Sequence, residues 1–346
     1  MKMIDLRSDT VTLPTPTMRE AMCRAEVGDD VFGEDPTVNR LEEMAAERMG
    51  KKAALFVVSG TMANLVCLLT HCGRGDEFIL GHIAHTFLYE AGGSAALGGL
   101  HPHTISNQPD GTLDLGDVEA AIRGDNIHFP HTRLICLENT HNRCGGAALS
   151  VEYTHSLCEL AHSRHIAVHL DGARIFNAAI ALGVDVEELT RNVDSVAFCL
   201  SKGLSCPVGS LVCGSADFVA EARRNRKMVG GGMRQAGIIA AAGVVALEEM
   251  IDRLAEDHAN ARRLAEGLAE IAGLSIDLER VQTNIVYFDL LDGGLEPDQF
   301  LARLGQGGVK VSSTGPRRFR AVAHYGIEAE DIEKALAVVR RVVEGE

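Results

Sequence analysis

The chain has 346 residues, 46% of them hydrophobic, and its formal net charge is −15 at pH 7. This length predicts about two domains of roughly 150 residues each, with enough apolar residues to bury a large core. The acidic balance argues against a nucleic-acid surface, which needs a clustered basic face. No apolar run approaches the roughly 20 residues of a membrane span.

The cysteines and the N-terminal residues predict a cytoplasmic protein. The nine cysteines are odd in number, scattered along the chain and never spaced Cys-x-x-Cys. Such a pattern is typical of reduced thiols in the cytoplasm. Residues 1–7 are charged and lack the apolar core of a signal peptide.

The chain begins with a polar segment and continues with alternating strands and helices. The first 35 residues are rich in turn formers and predict an extended arm that lies against a partner subunit. Apolar residues three and four apart predict a helix over residues 37–49. Further apolar patterns predict strands at residues 53–58, 77–80 and 133–139, and helices at residues 62–69, 113–122 and 151–164.

The turn Ser59-Gly60-Thr61, which follows the strand at residues 53–58, is a candidate phosphate-binding site. Backbone N–H groups and the helix dipole favour an anion at a helix N-terminus. Gly60 allows close approach, and Thr61 offers a hydroxyl as well as its amide. Ser-Gly-Thr is also an ordinary N-cap sequence, so the motif alone leaves both interpretations open.

The histidines are candidates for stacking and for metal binding. His85 follows the strand at residues 77–80, where its ring could stack on a flat cofactor, although a single loop histidine is more often a surface residue. A metal site needs three or four convergent ligands. Because no such set is evident, we predict no metal site and structural roles for His101, His103, His155, His162, His165 and His169.

An acid and an isolated lysine follow two further predicted strands. The apolar residues 167–170 lead into Asp171, with Arg174 close behind, and the apolar residues 195–200 lead into Lys202. In open α/β sheets, ligands bind outside the carboxyl ends of the strands. There a lysine can form a Schiff base with pyridoxal 5′-phosphate (PLP), and an aspartate can pair with its pyridinium nitrogen. PLP binding is therefore the central hypothesis.

The organisation of the chain changes near residue 274. Upstream, the glycine-rich residues 230–234 do not match the Gly-x-Gly-x-x-Gly pattern and follow no strand, so they do not indicate a dinucleotide site. Downstream, short strands at residues 285–288, 309–311 and 319–322 alternate with helices at residues 296–304 and 328–343. We predict a large α/β domain with an N-terminal arm over residues 1–250 and a small α+β domain over residues 251–346.

With these segments in place, the chain resembles the low-specificity L-threonine aldolases of the fold-type I PLP superfamily. The matching segments follow one another in order along nearly the whole chain, and the segment at Lys202 is the most diagnostic. They are IDLRSDTVT (4–12), VGDDV (27–31), SGTxANL (59–65), LENTHN (137–142), LDGARIFN (170–177), CLSKG (199–203) and GGMRQ (231–235).

The resemblance implies a fold, an activity and an assembly. The fold is fold-type I, with a large, mostly parallel sheet domain and a small C-terminal α+β domain. The activity is PLP-dependent retro-aldol cleavage of L-threonine, L-allo-threonine and related β-hydroxy-α-amino acids to glycine and an aldehyde. The assembly is a homotetramer, a dimer of dimers, with active sites at the dimer interface.

The resemblance also implies a role for each candidate residue. Lys202 is the Schiff-base lysine, Asp171 the partner of the pyridinium and His85 the ring stacked on the cofactor. Gly60 and Thr61 hold the phosphate. The expected carboxylate-binding residues are Ser8, Arg320 and Arg174, of which Arg174 also contacts the cofactor, and His128 lies near the substrate hydroxyl. Either His85 or His128 is the base that takes the hydroxyl proton, directly or through water.

The sequence departs from the family pattern at two places. Phe32 stands where the family often has tyrosine, which removes a hydroxyl contact to the neighbouring active site. The loop Arg143-Cys144-Gly145-Gly146 replaces the usual continuation after His141-Asn142 and is expected to change the mouth of the pocket.

Three other functions remain open. One is an aldolase that prefers bulky substrates such as phenylserine, and another is a different PLP reaction, such as β-elimination, on the same scaffold. The third is a catalytically idle α/β binding protein, since a fold alone does not fix a function. The threo/erythro preference and a structural cation are also open.

Overall fold

The computed structural model describes residues 2–293 and 295–345, and this part of the chain forms thirteen strands, fourteen α-helices and four short 3-10 helices. The strands are β1 Ile4–Asp5, β2 Ala53–Val57, β3 Glu77–Gly81, β4 His101–Ile105, β5 Thr132–Glu138, β6 Ala167–Asp171, β7 Ser195–Cys199, β8 Ser210–Gly214, β9 Leu274–Ser275, β10 Ile285–Leu290, β11 Val309–Lys310, β12 Ser312–Ser313 and β13 Arg318–Val322. The helices are α1 Pro16–Arg24, α2 Pro36–Arg48, α3 Gly60–His71, α4 His85–Leu88, α5 Gly93–Gly98, α6 Leu115–Ala121, α7 Val151–Ser163, α8 Ile175–Leu182, α9 Val186–Thr190, α10 Ala216–Met228, α11 Gly237–Glu249, α12 Leu254–Ala269, α13 Pro297–Gln306 and α14 Ala329–Glu344.

The larger sheet has seven strands in the order β2-β8-β7-β6-β5-β3-β4. Strand β8 runs antiparallel to both of its neighbours, and the other neighbouring pairs are parallel. Strands β3, β7 and β8 are buried at every residue, as expected when helices cover both faces of a sheet. This architecture confirms the prediction of an α/β fold with a mostly parallel sheet.

The strand register brings the acid and the lysine to one edge of the sheet. Strands β6 and β7 are parallel neighbours, with Asp171 opposite Ala197. Strand β6 ends at Asp171, and Lys202 follows the last residue of β7 by three positions. Strand β3 ends at the same edge, shortly before His85. Asp171, Lys202 and His85, the three side chains that the PLP hypothesis needs, therefore lie at or just after the carboxyl ends of three strands.

The C-terminal residues form a second, antiparallel sheet in the order β12-β13-β10-β9, which packs with α12, α13 and α14 around its own apolar core. Strand β1 pairs with β11, and Ile4 and Leu6 are buried in this core. Helix α11 packs on α1 and α2, whereas α12 packs on both α8 and α14. Because α12 contacts both groups of elements, the division at residue 250 stays a prediction.

The prediction of an extended arm over the first 35 residues is wrong for Pro16–Arg24, which form helix α1. Thr15 caps the helix by accepting the N–H of Met18, and Pro16 occupies its first turn, which is a favourable start for a helix. Met18 is fully buried in the large core, and α1 packs on α11. Only short segments on either side of α1 are extended.

None of the helices in residues 2–293 and 295–345 is long and apolar enough to cross a bilayer.

Candidate active site

A cavity of about 370 Å³ lies where the carboxyl edge of the large sheet meets the C-terminal unit. It is lined by five of the predicted site residues, Ser8, His85, Arg174, Lys202 and Arg320. Its remaining lining includes Arg143, from the loop expected at the pocket mouth, and residues that the sequence did not single out, among them Tyr89, Asn142 and Tyr287. The structure thus brings most of the predicted residues around one space.

Lys202 contributes an uncommitted amine to this cavity. Its backbone is fixed, because its carbonyl accepts hydrogen bonds from the Thr12 hydroxyl (3.1 Å) and the Ser205 amide (2.9 Å). Within residues 2–293 and 295–345, its Nζ atom has no hydrogen-bond or ion-pair partner. An amine that is held in place but unpaired can form a bond with an aldehyde.

Asp171 is a buried carboxylate that has no lysine or arginine partner in the part of the chain that the structure describes. It is 4% exposed, and its oxygens accept the Ala173 amide at 3.1 Å and the Asn64 side-chain amide at 2.8 Å. A buried carboxylate normally needs an opposite charge as well as hydrogen bonds. The position therefore suits a cationic group such as a pyridinium.

His85 begins helix α4 and is oriented by two carboxylates. Its backbone amide donates to Glu138 Oε2 at 2.7 Å, and its ring Nδ1 lies 2.9 Å from Glu90 Oε1. Burial by itself would lower the pKa of His85, but the hydrogen bond to Glu90 and the negative charge of Asp171 outweigh it and raise that pKa. The Tyr89 ring lies beside the imidazole, with the ring centroids 5.6 Å apart.

The two predicted carboxylate-binding arginines are held differently. Arg174 is buried and forms a bidentate pair with Asp9, both distances being 2.6 Å. Burial would raise the pKa of the Asp9 carboxyl, but the Arg174 guanidinium holds it well below its usual range. Arg320 instead donates to neutral oxygens, at 2.7 Å to Asn142 Oδ1 and at 3.0 Å to the Arg7 carbonyl. Its positive charge is therefore the freer of the two.

The predicted phosphate site lies at the first turn of α3, outside the lining of the 370 Å³ cavity. The Ser59 side chain accepts a hydrogen bond from the Met62 amide. The N–H groups of Gly60 and Thr61 lie in the first turn, where the helix offers no carbonyl oxygen to accept them. A Cβ atom added at Gly60 would lie 2.8 Å from Cys199 Sγ, so glycine allows this turn to lie close to strand β7. Asn64 in the same helix contacts Asp171, which places the helix at the same sheet edge.

Within the described ranges, His128 does not line the cavity, and neither does the buried Asp171. His128 lies in an exposed loop between α6 and β5, where its amide donates to Asn126 Oδ1 at 2.9 Å. Its neighbours are exposed apolar side chains, with Ile127 97% and Phe129 45% exposed. The Arg123 guanidinium lies over the Phe129 ring, 5.3 Å from its centroid.

Both departures from the family pattern fall on exposed or cavity-lining positions. Phe32 is 73% exposed at the surface. Arg143 lines the main cavity and, together with Tyr287, a second cavity of about 200 Å³ beside it. The loop thus forms part of the cavity wall, although its effect on substrate preference stays a prediction.

Three buried residues of the site were missed, namely Asp9, Asn64 and Glu90. Asp9 and Asn64 belong to segments that match the family, but the match alone did not indicate a role for either residue. Glu90 had no local signal, because its importance depends on contacts with His85 and Asn64. Together with Asp171, His85 and Glu90 place their polar atoms within 4.8 Å of one another.

The histidines predicted to be structural make ordinary polar contacts. His103 bonds the buried Glu77, which Arg123 also contacts at 2.8 Å. His162 contacts Asp194 at 2.9 Å, and His169 is buried. The prediction of no metal site stays a prediction.

Comparison with known proteins gives consistent matches. The family model for β-eliminating lyases matches residues 5–291. The chain is 49% identical to low-specificity L-threonine aldolase 1 of Arabidopsis thaliana, over 99% of this chain and 97% of that protein. Its fold is similar to the threonine aldolase of Leishmania major (TM-score 0.85, 19% identity, 98% and 99% of the two chains). It is also similar to a structure of SPT with PLP (TM-score 0.76, 18% identity, 99% and 88% of the chains).

Proposed function

Because the chain belongs to the low-specificity L-threonine aldolase family, within the β-eliminating lyases, we propose that it cleaves β-hydroxy-α-amino acids to glycine and an aldehyde. The proposed substrates are L-threonine, L-allo-threonine and related compounds, and the proposed cofactor is PLP. The observation that carries this proposal is that an unpaired Lys202 amine and a buried Asp171 carboxylate without an arginine or lysine partner lie at the same edge of the sheet.

The residues around the sheet edge fit PLP at its ring nitrogen, at its phosphate and at its aldehyde. Asp171 would pair with the ring nitrogen, Lys202 would bond the aldehyde, and the amides of Gly60 and Thr61 would bind the phosphate. His85 would stack on the ring. When bound, PLP supplies an electron sink for the electron pair left on Cα as the Cα–Cβ bond breaks.

The arginines and Ser8 would position the substrate carboxylate. Arg320 is the principal candidate, because its guanidinium faces the cavity and is paired only with neutral oxygens. Arg174 would contribute through the side of its guanidinium not taken by Asp9, and its fork is kept in one orientation by that pair. Fixing the carboxylate near the ring plane leaves the Cα–Cβ bond free to align with the ring π system.

His85 is the base candidate within the same chain. Its Nδ1 donates to Glu90, so the neutral imidazole carries its free electron pair on Nε2. In this state Nε2 can accept the β-hydroxyl proton, directly or through water. The alternative base, His128, would act in the cavity of another copy of the chain. For a substitution of His128, the expected effect is a higher KM or an altered threo/erythro preference.

The proposed assembly is a homotetramer built from dimers. The exposed apolar side chains of Ile127 and Phe129, which lie in one loop, support association, since exposed apolar patches mark interaction surfaces. The proposed location is the cytoplasm. Free cysteines, most of them buried, support it.

The proposal is tested by measuring aldehyde and glycine released from a panel of L- and D-β-hydroxy amino acids by the PLP-loaded protein. The expected result is equimolar glycine and acetaldehyde from L-threonine and L-allo-threonine, with none from the Lys202→Ala variant. Formation of a 2-oxo acid would instead indicate elimination or transamination. Absence of a cofactor spectrum would favour the idle binding protein.

Preference for bulky substrates is the second candidate function, and one observation favours it. Arg143 and Tyr287 separate the main cavity from the neighbouring 200 Å³ cavity, which offers room for a larger β-substituent. A kcat/KM for phenylserine above that for L-threonine would support this candidate, and the reverse order would reject it.

A further inference from the structure

A continuous set of hydrogen bonds runs from beneath the cavity through the core to the half-buried His71. Asn64 Nδ2 lies 2.8 Å from both Asp171 Oδ2 and Glu90 Oε1. Asn64 Oδ1 lies 3.1 Å from His169 Nε2. His169 Nδ1 lies 2.9 Å from Ser195 Oγ, which is 2.7 Å from His71 Nε2. Asn64, His169 and Ser195 are each at most 2% exposed.

The orientation of Asn64 is fixed by the chemistry of its neighbours. Its side-chain nitrogen is a donor and its side-chain oxygen an acceptor. The reverse orientation would place that oxygen against two carboxylates and leave them without this donor. The Asn64 amide nitrogen therefore donates one N–H to Asp171 and one to Glu90, and its oxygen must accept.

The direction of every further hydrogen bond follows from this orientation. Because Asn64 Oδ1 accepts, His169 must carry its proton on Nε2. Burial lowers the pKa of His169 to about 4, so the ring is neutral and its Nδ1 is an acceptor. The Ser195 hydroxyl then donates to that Nδ1, and its oxygen accepts from His71, whose pKa burial also lowers to about 4. The donors thus all point toward the two carboxylates.

Asp171 and Glu90 need such a donor because they are close and buried. Two neighbouring carboxylates disfavour each other's ionised form and tend to share one proton. Burial and the charge of Asp171 together raise the pKa of the Glu90 carboxyl, while the hydrogen bonds from His85 and Asn64 oppose that rise. Each carboxylate has a different task, since Asp171 would face the ring nitrogen of PLP and Glu90 orients His85.

We propose that Asn64, oriented by the His169–Ser195–His71 hydrogen bonds, is a positioning residue that keeps Asp171 and Glu90 as two separate, ionised carboxylates. The proposal rests on the proposed function, because it assigns Asp171 to PLP and His85 to catalysis. Its consequence is that two core residues, His169 on β6 and Ser195 on β7, and the half-buried His71 at the end of α3 control cofactor affinity without touching the cofactor.

The direction of the hydrogen bonds can be measured on the wild-type protein by NMR. Histidine labelled with nitrogen-15 reports which ring nitrogen carries the proton, and a His169→Gln variant identifies the His169 signal. The proposal predicts neutral His169 with the proton on Nε2 at neutral pH. A proton on Nδ1, or a doubly protonated ring, would overturn it. This readout does not depend on PLP or on activity.

The effect on the cofactor is measured by titrating the apoprotein with PLP and recording its absorption spectrum. For Asn64→Leu and His169→Leu, the PLP dissociation constant is expected to rise at least about tenfold. Asn64→Leu loses the hydrogen bonds to both carboxylates, and His169→Leu removes the donor that orients the Asn64 amide. The absorption band of the bound cofactor is also expected to shift. His169→Gln keeps an N–H donor for Asn64 and should remain close to the wild type.

Asn225→Leu is the matched control. Asn225 is 8% exposed and donates to Thr70 Oγ1 at 3.0 Å, but it does not contact the two carboxylates. It should lose thermal stability as Asn64→Leu does while binding PLP normally. Wild-type affinity and spectrum in Asn64→Leu would overturn the proposal. If the wild-type protein itself takes up no PLP, the proposed function fails, and the NMR measurement still decides the direction of the hydrogen bonds.

Discussion

At the scale of single residues, Glu90 sets the proton affinity of the base candidate His85. The pKa of His85 is raised, so the protonated form persists to higher pH than in an ordinary histidine. A base must be neutral to accept a proton. Activity should therefore fall as the pH decreases through this raised pKa.

Substituting Glu90→Gln removes the charge and is expected to lower the pKa of His85. The acid limb of the kcat/KM profile against pH should then move to lower pH. Glu138→Gln is a suitable control, because Glu138 accepts the backbone amide of His85 and not its ring. An acid limb that does not move in Glu90→Gln would show that another group is the base.

The buried ion pair between Asp9 and Arg174 is expected to contribute to the free energy of unfolding. Substituting Asp9→Asn leaves a buried guanidinium without its charge partner, which typically costs about 3–5 kcal/mol. Urea denaturation should show this loss, whereas Asp5→Asn, which breaks the more exposed contact with Arg7, should change the free energy of unfolding by about 0–1 kcal/mol.

The same pair has a defined pH dependence. The pKa of Asp9 is lower in the folded state than the value of 3.8 for a free carboxyl. Its stabilising contribution is therefore fully present above the unfolded-state pKa and is lost as the pH falls towards the folded-state value. The stability difference between wild type and Asp9→Asn should thus shrink on acidification. A difference that is constant down to strongly acidic pH would contradict this account.

The sequence could indicate individual residues only where their chemistry is distinctive. Lys202 and Asp171 each follow an apolar strand, so their meeting at one edge could be predicted from strand ends alone. Asn64 could not be assigned in this way, because its role depends on two carboxylates and a histidine that lie far from it in the sequence. Arg174 was expected to meet only ligands, but the structure also gives it the buried partner Asp9.

At the scale of elements, the first turn of α3 is the most sensitive part of the proposed PLP site. A Gly60→Ala substitution adds a Cβ atom 2.8 Å from Cys199 Sγ, so the turn or the Cys199 side chain must shift. We expect weaker PLP binding with a smaller effect on the folded protein itself. The measurement is a PLP titration together with thermal unfolding of the apoprotein.

Gly124→Ala is the control for this change. A Cβ atom at Gly124 would meet no atom within 4 Å, and the residue lies in the exposed loop before β5. This variant should bind PLP as the wild type does. Equal affinity in Gly60→Ala and the wild type would remove α3 from the phosphate site.

The elements that were predicted correctly have strong local patterns. The apolar strands β2, β3, β6 and β7 and the amphipathic helices α2 and α7 fall close to their predicted positions. Helix α1 was missed, because its polar sequence is stabilised by a Thr15 cap and by packing on α11. Strand β4 was missed because His101-Pro102-His103 does not look like a strand, and it pairs only at the edge of the sheet.

At the scale of the whole molecule, long-range pairing lay beyond sequence reasoning. Strand β1 joins a core formed by residues about three hundred positions later, with Ile4 opposite Val309. Strand β8 is inserted antiparallel between β2 and β7. Neither pairing leaves a local pattern, because both depend on how distant elements meet.

Association between copies of the chain can be tested at the exposed loop that carries His128. Ile127→Ser replaces an almost fully exposed apolar side chain beside His128. If this loop docks on another copy, the variant should associate more weakly in sedimentation velocity and show a raised KM. Leu291→Ser, at a half-exposed position in the C-terminal unit, is the control. Identical association of both variants and the wild type would show that the loop is not part of an interface.

The central claim is that the amine of Lys202 bonds PLP at the carboxyl edge of the large sheet. Its most direct test is to load the purified protein with PLP, fix the bound cofactor with borohydride, digest the chain and identify the modified peptide by mass. The account predicts a single modified residue, Lys202, and no modification in Lys202→Ala. Modification of a different lysine, or of none, would contradict it.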